Sequence, residues 1–191
     1  WATFNVGATA PEEYGDYFAW GETEPKSAYS WDNYKHSHLR NYSLTKYCSN
    51  SFYGCNGYID DKTILDFEDD AAHVNWGGSW RMPTGEEFDE LCNSENCTWI
   101  WTRMNGVNGY RIVSKRAGYE GNYIFLPGGG YRSSGSHLVN FGDCNYWSSS
   151  LATSSPDCAH FLQSGIGSGD YSTYIHSRDA GLSVRPVRPK D

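Results

Sequence analysis

Residues 80–91 read Trp80-Arg-Met-Pro-Thr-Gly-Glu-Glu-Phe-Asp-Glu-Leu91, and they hold the clearest helix signal in the chain. Thr84 followed three residues later by Glu87 forms a capping box just after Pro83, and Phe88 with Leu91 supplies an apolar face. Working upstream, a second and shorter helix is predicted from Asp66 to Asn75. Glu68, Asp69 and Asp70 sit at its start, where acidic charge suits the helix dipole, and Gly77-Gly78 ends it. No other stretch has helical periodicity.

The remainder alternates or turns. Tyr110–Ser114 and Asn122–Leu126 read as strands, with Gly118 to Gly121 as the turn between them. Further strand-like pieces are Tyr146-Trp-Ser148, His160-Phe-Leu162 and Leu182-Ser-Val184. Near the front come Trp1–Gly7, Tyr17–Trp20 and Tyr29-Ser-Trp31. The fold class that follows is α+β, with two helices on a loop-rich, mostly antiparallel strand framework. No linker or repeat divides the chain, so residues 1–191 form one domain. Residues 1–130 are mainly scaffold. Residues 131–182 are expected to be binding loops, because the Ser/Gly/Asp/Tyr stretches between their strands exceed simple turns and have the composition that binding loops favour.

The net charge is −8. Residues 1–120 hold ten Lys/Arg against eighteen Asp/Glu, whereas residues 121–191 hold five of each and are neutral. Nucleic acid is excluded as a partner, since it demands a basic stripe. A neutral, hydroxyl-rich rear third suits a protein or glycan ligand. No apolar run reaches the roughly 20 residues that span a bilayer, so no membrane insertion is expected within this segment. The chain carries no signal peptide and opens at Trp1 directly into a strand-like piece, like the middle of a longer chain. Six cysteines include two close pairs, Cys48 with Cys55 and Cys92 with Cys97. In an oxidising compartment at least one pair is expected to close a disulfide, the alternative being six reduced thiols.

Trp76-Gly-Gly-Ser-Trp-Arg-Met-Pro-Thr84 with Glu86-Glu-Phe88 resembles a signature of formylglycine-generating-enzyme-like domains, and Gly181–Val187 resembles their closing strand. The whole chain more closely resembles the Fibrobacter succinogenes major paralogous domain. The matching pieces are Trp1-Ala-Thr with Asn5–Ala8, Gly15–Glu22, Glu68–His73, Leu126-Pro127, Tyr146–Ser150 and Ser183–Val187. This resemblance implies a C-type-lectin-like fold located on a bacterial cell surface, outside the cell, or on a phage particle. Members of that fold serve as variable proteins of diversity-generating retroelements. Their binding residues arise by mutating adenines in codons that never yield Lys, Glu, Gln, Met or Trp. Here residues 1–120 contain seventeen Lys, Glu and Met, and residues 121–189 contain none; only Trp147 and Gln163 fall in the excluded set. Strands and turns also avoid Lys, Glu and Met without any retroelement, so both explanations stand at this point.

No catalytic constellation is legible. The formylglycine-generating enzymes bind copper through paired cysteines, but Cys144 and Cys158 do not match that motif; an oxidase using either one is the alternative reading, and a structural surface or tail-fibre module is a third. His36-Ser-His38 reads as a solvated loop, Gly128-Gly-Gly130 as a turn, and the Asp60-Asp61 and Asp69-Asp70 runs as exposed loop and helix-start charges. No metal or cofactor is expected. Trp20, Trp31, Trp76 and Trp80 belong to the core or its rim, and Arg81 and Arg185 are structural. The function expected is non-catalytic ligand binding. The expected contact residues are His137, Asn140, Phe141, Asp143 and Asn145 before the Tyr-Trp-Ser-Ser motif. After it come Ser154, Asp157, His160, Ile166, Asp170, Tyr171, Tyr174, His176 and Asp179. Nothing in the sequence sets an oligomeric state.

Overall fold

The computed structural model describes residues 1–38 and 40–189. The capped segment forms helix α2 (Gly85–Cys92), with both bonds of the Thr84–Glu87 box in place. Arg81 clamps the same Glu87 carboxylate through two 2.7 Å bonds. Helix α1 (Ala71–Trp76) starts at Asp70, whose side chain accepts from the His73 N–H. It stops at Gly77, whose φ of 68° is open to glycine without strain. The predicted start at Asp66 is instead a 3-10 turn over Phe67–Asp69, because Asp70 caps a new helix rather than continuing the old one.

Strands β2 (Cys97–Met104), β3 (Val107–Ser114) and β4 (Tyr123–Pro127) make a three-stranded antiparallel sheet. The β2–β3 hairpin turns at Asn105-Gly106, both at positive φ, the pairing that matches strand twist. β5 (Tyr131–Ser133) and β6 (His137–Val139) form a separate hairpin. The main sheet runs β1 (Tyr17–Phe18), β10 (Leu182–Ser183), β7 (Cys144–Leu151), β8 (Cys158–Ser164), β9 (Tyr171–Ser177) in spatial order. Its pairs are antiparallel except β10 with β7.

This sheet is buried on both faces around β7. Tyr146 and Leu162 enter one core with Phe88, Leu91, Tyr110 and Leu126. Trp147 and Phe161, the next residues along, enter the other with Phe18, Trp20, Tyr47 and Leu182. Alternation along a strand sends neighbours to opposite faces, so two-sided burial explains why nearly all of β7 is apolar or hydrogen-bonded. The indoles are satisfied inside: Trp20 Nε1 donates to Ser148 O and Trp147 Nε1 to Phe18 O, both at 2.8 Å.

Two arginines hold the loop-rich front against the sheet. Arg185 is fully buried and donates to Asn5 Oδ1, Ala2 O, Thr3 O and Phe125 O, a structural role as expected, made through carbonyl oxygens and no carboxylate. Burial lowers its pKa to about 10. Arg178, equally buried, donates to Tyr34 Oη, Tyr47 O, Pro156 O and Lys46 O, and lies 4.8 Å over the Trp20 ring.

Several expectations are corrected. Residues 1–7 form no strand; they are tied to the far end of the chain by Ala2 N–Pro186 O and Val6 N–Val184 O bonds. Tyr29–Trp31 is likewise no strand: Tyr29 makes one isolated bridge to Gly135, and Trp31 opens a 3-10 turn. Strand β2 is not among the expected strands: Trp99 and Trp101 share its inner face, but Ile100, 43 % exposed, adds an apolar residue to the outer one and blurs the alternation. Most of 131–182 is strand rather than loop, and β9 in particular occupies a stretch expected to be irregular. All six cysteines are free thiols, so neither short-loop disulfide is formed.

Candidate ligand-binding site

Cross-strand partners in an antiparallel ladder point to the same side. The register Asn145↔Gln163↔Ser172 therefore forms one row across β7, β8 and β9, and Trp147↔Phe161↔Tyr174 forms the next on the same face. His176, opposite Ala159, continues that face. Tyr131 of the β5–β6 hairpin closes its margin, with its ring centroid 4.7 Å from that of His176 at a steep angle. His176 also meets Phe161 edge-on at 5.5 Å. The outer part of the face is open, with Tyr174 45 % exposed.

The electrostatics of this face are neutral. None of its residues is acidic or basic apart from His176, and burial pushes the His176 imidazole below its usual pKa, against weaker opposing effects of the Ser177 backbone and Asp179. It is therefore uncharged near pH 7. The side chains of Gln163 and Ser172 make no hydrogen bond within the described residues, and Asn145 Oδ1, 1 % exposed as a residue, is buried without a partner. Rings beside unspent amide and hydroxyl groups can contact an uncharged polar ligand.

The structure distributes the fourteen predicted contact residues over several places. Asn145, Tyr174 and His176 share the face just described. Asn140, Phe141, Asp143, Ile166 and Asp170 gather at the adjoining loop end, where Asp143 Oδ1 accepts from the Ile166 N–H at 3.0 Å. There Phe141 is 57 % exposed and packs edge-on against Tyr14. His137 is exposed on the hairpin opposite Ser133.

Two residues lie on the reverse face. Tyr171 stacks on Trp99, 4.3 Å and 8° apart, and His160 lines a hollow of about 300 Å³ with Ile64, Gly85, Glu86, Asp89 and Ser150. Ser154, Asp157 and Asp179 lie at the far end, where Asp157 accepts from Asn41 Nδ2 and Asp179 from the Ser177 hydroxyl. Tyr131, Gln163 and Ser172 are not among the predicted residues. Period-two alternation along 158–164 is the signal that points to Gln163; Ser172 and Tyr131 carry no such signal.

The cysteines do not assemble. Cys144 lies opposite Ser164, whereas Cys158 is six residues back along β8, a separation of roughly 20 Å at about 3.3 Å per residue. Burial pushes the Cys144 thiol up to about 12 and the Cys158 thiol up to about 11. Neither is poised as a thiolate.

The carboxylates Asp66, Glu68 and Asp69 converge closely enough to hold a cation, and Lys46 already serves as one, with its ammonium 2.8, 2.7 and 2.6 Å from them. Asp69 is buried rather than exposed, bonded also to Lys35 and the Tyr47 hydroxyl, and its pKa lies far below the usual range. Bonds from His36, Lys35, Lys46 and Tyr47 outweigh its desolvation. His36 is buried as well, its Nε2 2.9 Å from Gly21 O, so the expectation of a solvated His36-Ser-His38 loop fails at His36. Asp60 accepts from the Tyr47, Cys48 and Lys62 backbones, a loop-organising role.

Comparison of the chain with protein-family profiles, with curated proteins and with solved structures returns no match. The fold established is a mixed α+β fold with two helices and mostly antiparallel sheets. Among the described residues no helix is long and apolar enough to cross a membrane.

Proposed function

We propose that this chain is a non-catalytic ligand-binding domain of the C-type-lectin-like, formylglycine-generating-enzyme-like type, displayed on a bacterial surface or phage particle, where it binds a protein or glycan. One observation carries the reading. The C-terminal strands set a neutral face in which the rings of Tyr174 and Tyr131 lie beside Gln163 and Ser172, whose side chains bond to nothing else among the described residues. Tyrosine offers rigid contact area at low entropic cost, and amides orient the ligand. The absence of Lys, Glu and Met from residues 121–189 supports diversification of this region by a retroelement. Gln163, which such codons do not yield, is then a fixed position within the face. The oxidase alternative loses support from the separation and raised pKa values of Cys144 and Cys158.

The test is a binding screen of the protein on arrays of bacterial surface proteins and oligosaccharides, followed by comparison of variants on whatever it retains. Combined Gln163→Ala, Tyr174→Ala and His176→Ala substitution should cost about 2 kcal/mol or more. Tyr171→Ala, on the reverse face, should leave binding intact. Retention by the triple variant would refute the assignment. Sequencing the gene and its surroundings for an adenine-rich copy of codons 131–182 decides the diversification question.

A further inference from the structure

We infer that β9 is the contact strand of a symmetric pair of these chains, joining two five-stranded sheets edge to edge. β9 is the outer strand of the main sheet and seven residues long, whereas the opposite edge, β1, has two. Natural sheets guard long edges with Lys, Pro, a bulge or a covering segment. Tyr171-Ser-Thr-Tyr-Ile-His-Ser177 has no charged residue and no proline, and its register with β8 is unbroken. Among the described residues, no backbone group of 172–176 bonds to anything outside β8. At the strand's middle Tyr174 and Ile175, on opposite faces, are 45 % and 46 % exposed.

The occupant is argued from charge and symmetry. An acidic chain repels its own copy, but the −8 resides in residues 1–120, and residues 121–189 balance four Arg against four Asp. A two-fold axis at Tyr174 makes the strand its own complement. Tyr174 then faces its copy, Thr173 faces Ile175, and Ser172 faces His176, with no like charges opposed. The nearest acidic charge is Asp89 of α2, which accepts from Thr173. Its repulsion across the axis is screened by salt, so the pair should tighten as ionic strength rises. The pairing leaves the outer face at Gln163 and Tyr174 open and doubles it.

Sedimentation velocity over a concentration series should show a monomer–dimer equilibrium. Ile175→Lys, a lysine guard on the edge, should weaken it roughly tenfold or more. In Tyr174→Cys the paired Cα atoms fall about 4.5–5.5 Å apart, within disulfide reach. Oxidised glutathione should therefore cross-link that variant, accepting the two electrons and two protons that the thiols lose. Wild type and Phe52→Cys, exposed elsewhere, should not cross-link. A monomer at every concentration overturns the inference, including one that captures a foreign strand. So does a dimer indifferent to Ile175→Lys that gives no Tyr174→Cys cross-link. Neither result bears on ligand binding by the face itself, which the triple variant tests separately.

Discussion

The ring of Tyr131 meets that of His176 at 4.7 Å and 68°, and this contact fastens the β5–β6 hairpin to the edge strand β9. The two residues are 45 positions apart in sequence, yet together they set the margin of the candidate face. Tyr131→Ala should therefore loosen the hairpin without unfolding the sheet. The measurement is hydrogen exchange, with faster exchange expected over 131–139 and little change in β7 and β8.

Burial of His176 has a pH consequence. Its folded pKa lies below the ordinary value of about 6.5, so the unfolded chain takes up this proton first on acidification. Stability from this residue is fully present above about pH 6.5 and falls as pH drops below it, levelling off under the folded pKa. Asp69 acts later, its contribution being lost only as pH falls below the usual carboxylate value of about 3.9. Denaturant unfolding at stepped pH should show the first slope in wild type and lose it in His176→Phe.

Arg178 should be among the costliest residues to remove. Its guanidinium serves Tyr34, Lys46, Tyr47 and Pro156 at once with no carboxylate bonded to it. Arg178→Met leaves those acceptors unpaired in the interior and should destabilise the fold by roughly 3–5 kcal/mol in urea titration. Thr84→Ala removes one cap and should cost about 1 kcal/mol in the same assay.

Thiol chemistry should sort by burial. Cys48 and Cys144 are buried, and Cys144 also bonds to Leu126 O, so both should resist alkylation in the native protein. Cys55, Cys92, Cys97 and Cys158, all partly exposed, should react before them. Mass spectrometry after timed labelling checks the order, and early reaction of Cys144 would contradict its placement.

The local features of the fold are legible in the sequence. The Thr84–Glu87 box and the Gly77 stop follow from residue chemistry that acts within a few positions. β9 escaped because Tyr171–Ser177 is polar and half exposed, so its alternation marks no core face. Tyr171 and His160 were grouped with Tyr174 and His176 because proximity in sequence ignores the two-fold period of a strand.

By itself, the sequence determined the presence of two helices, the cap of the second and the stop of the first, the α+β class, the neutral character of the rear third and the candidate status of its aromatic residues. These rest on capping, composition and short-range periodicity. Only the tertiary structure decided which of those residues share a face and that Lys46 fills the acidic cluster. It likewise placed Cys144 and Cys158 at opposite ends of the β7–β8 ladder. Each of these depends on the register between strands or on contacts between distant segments, and a one-residue shift in register would send every side chain to the other face.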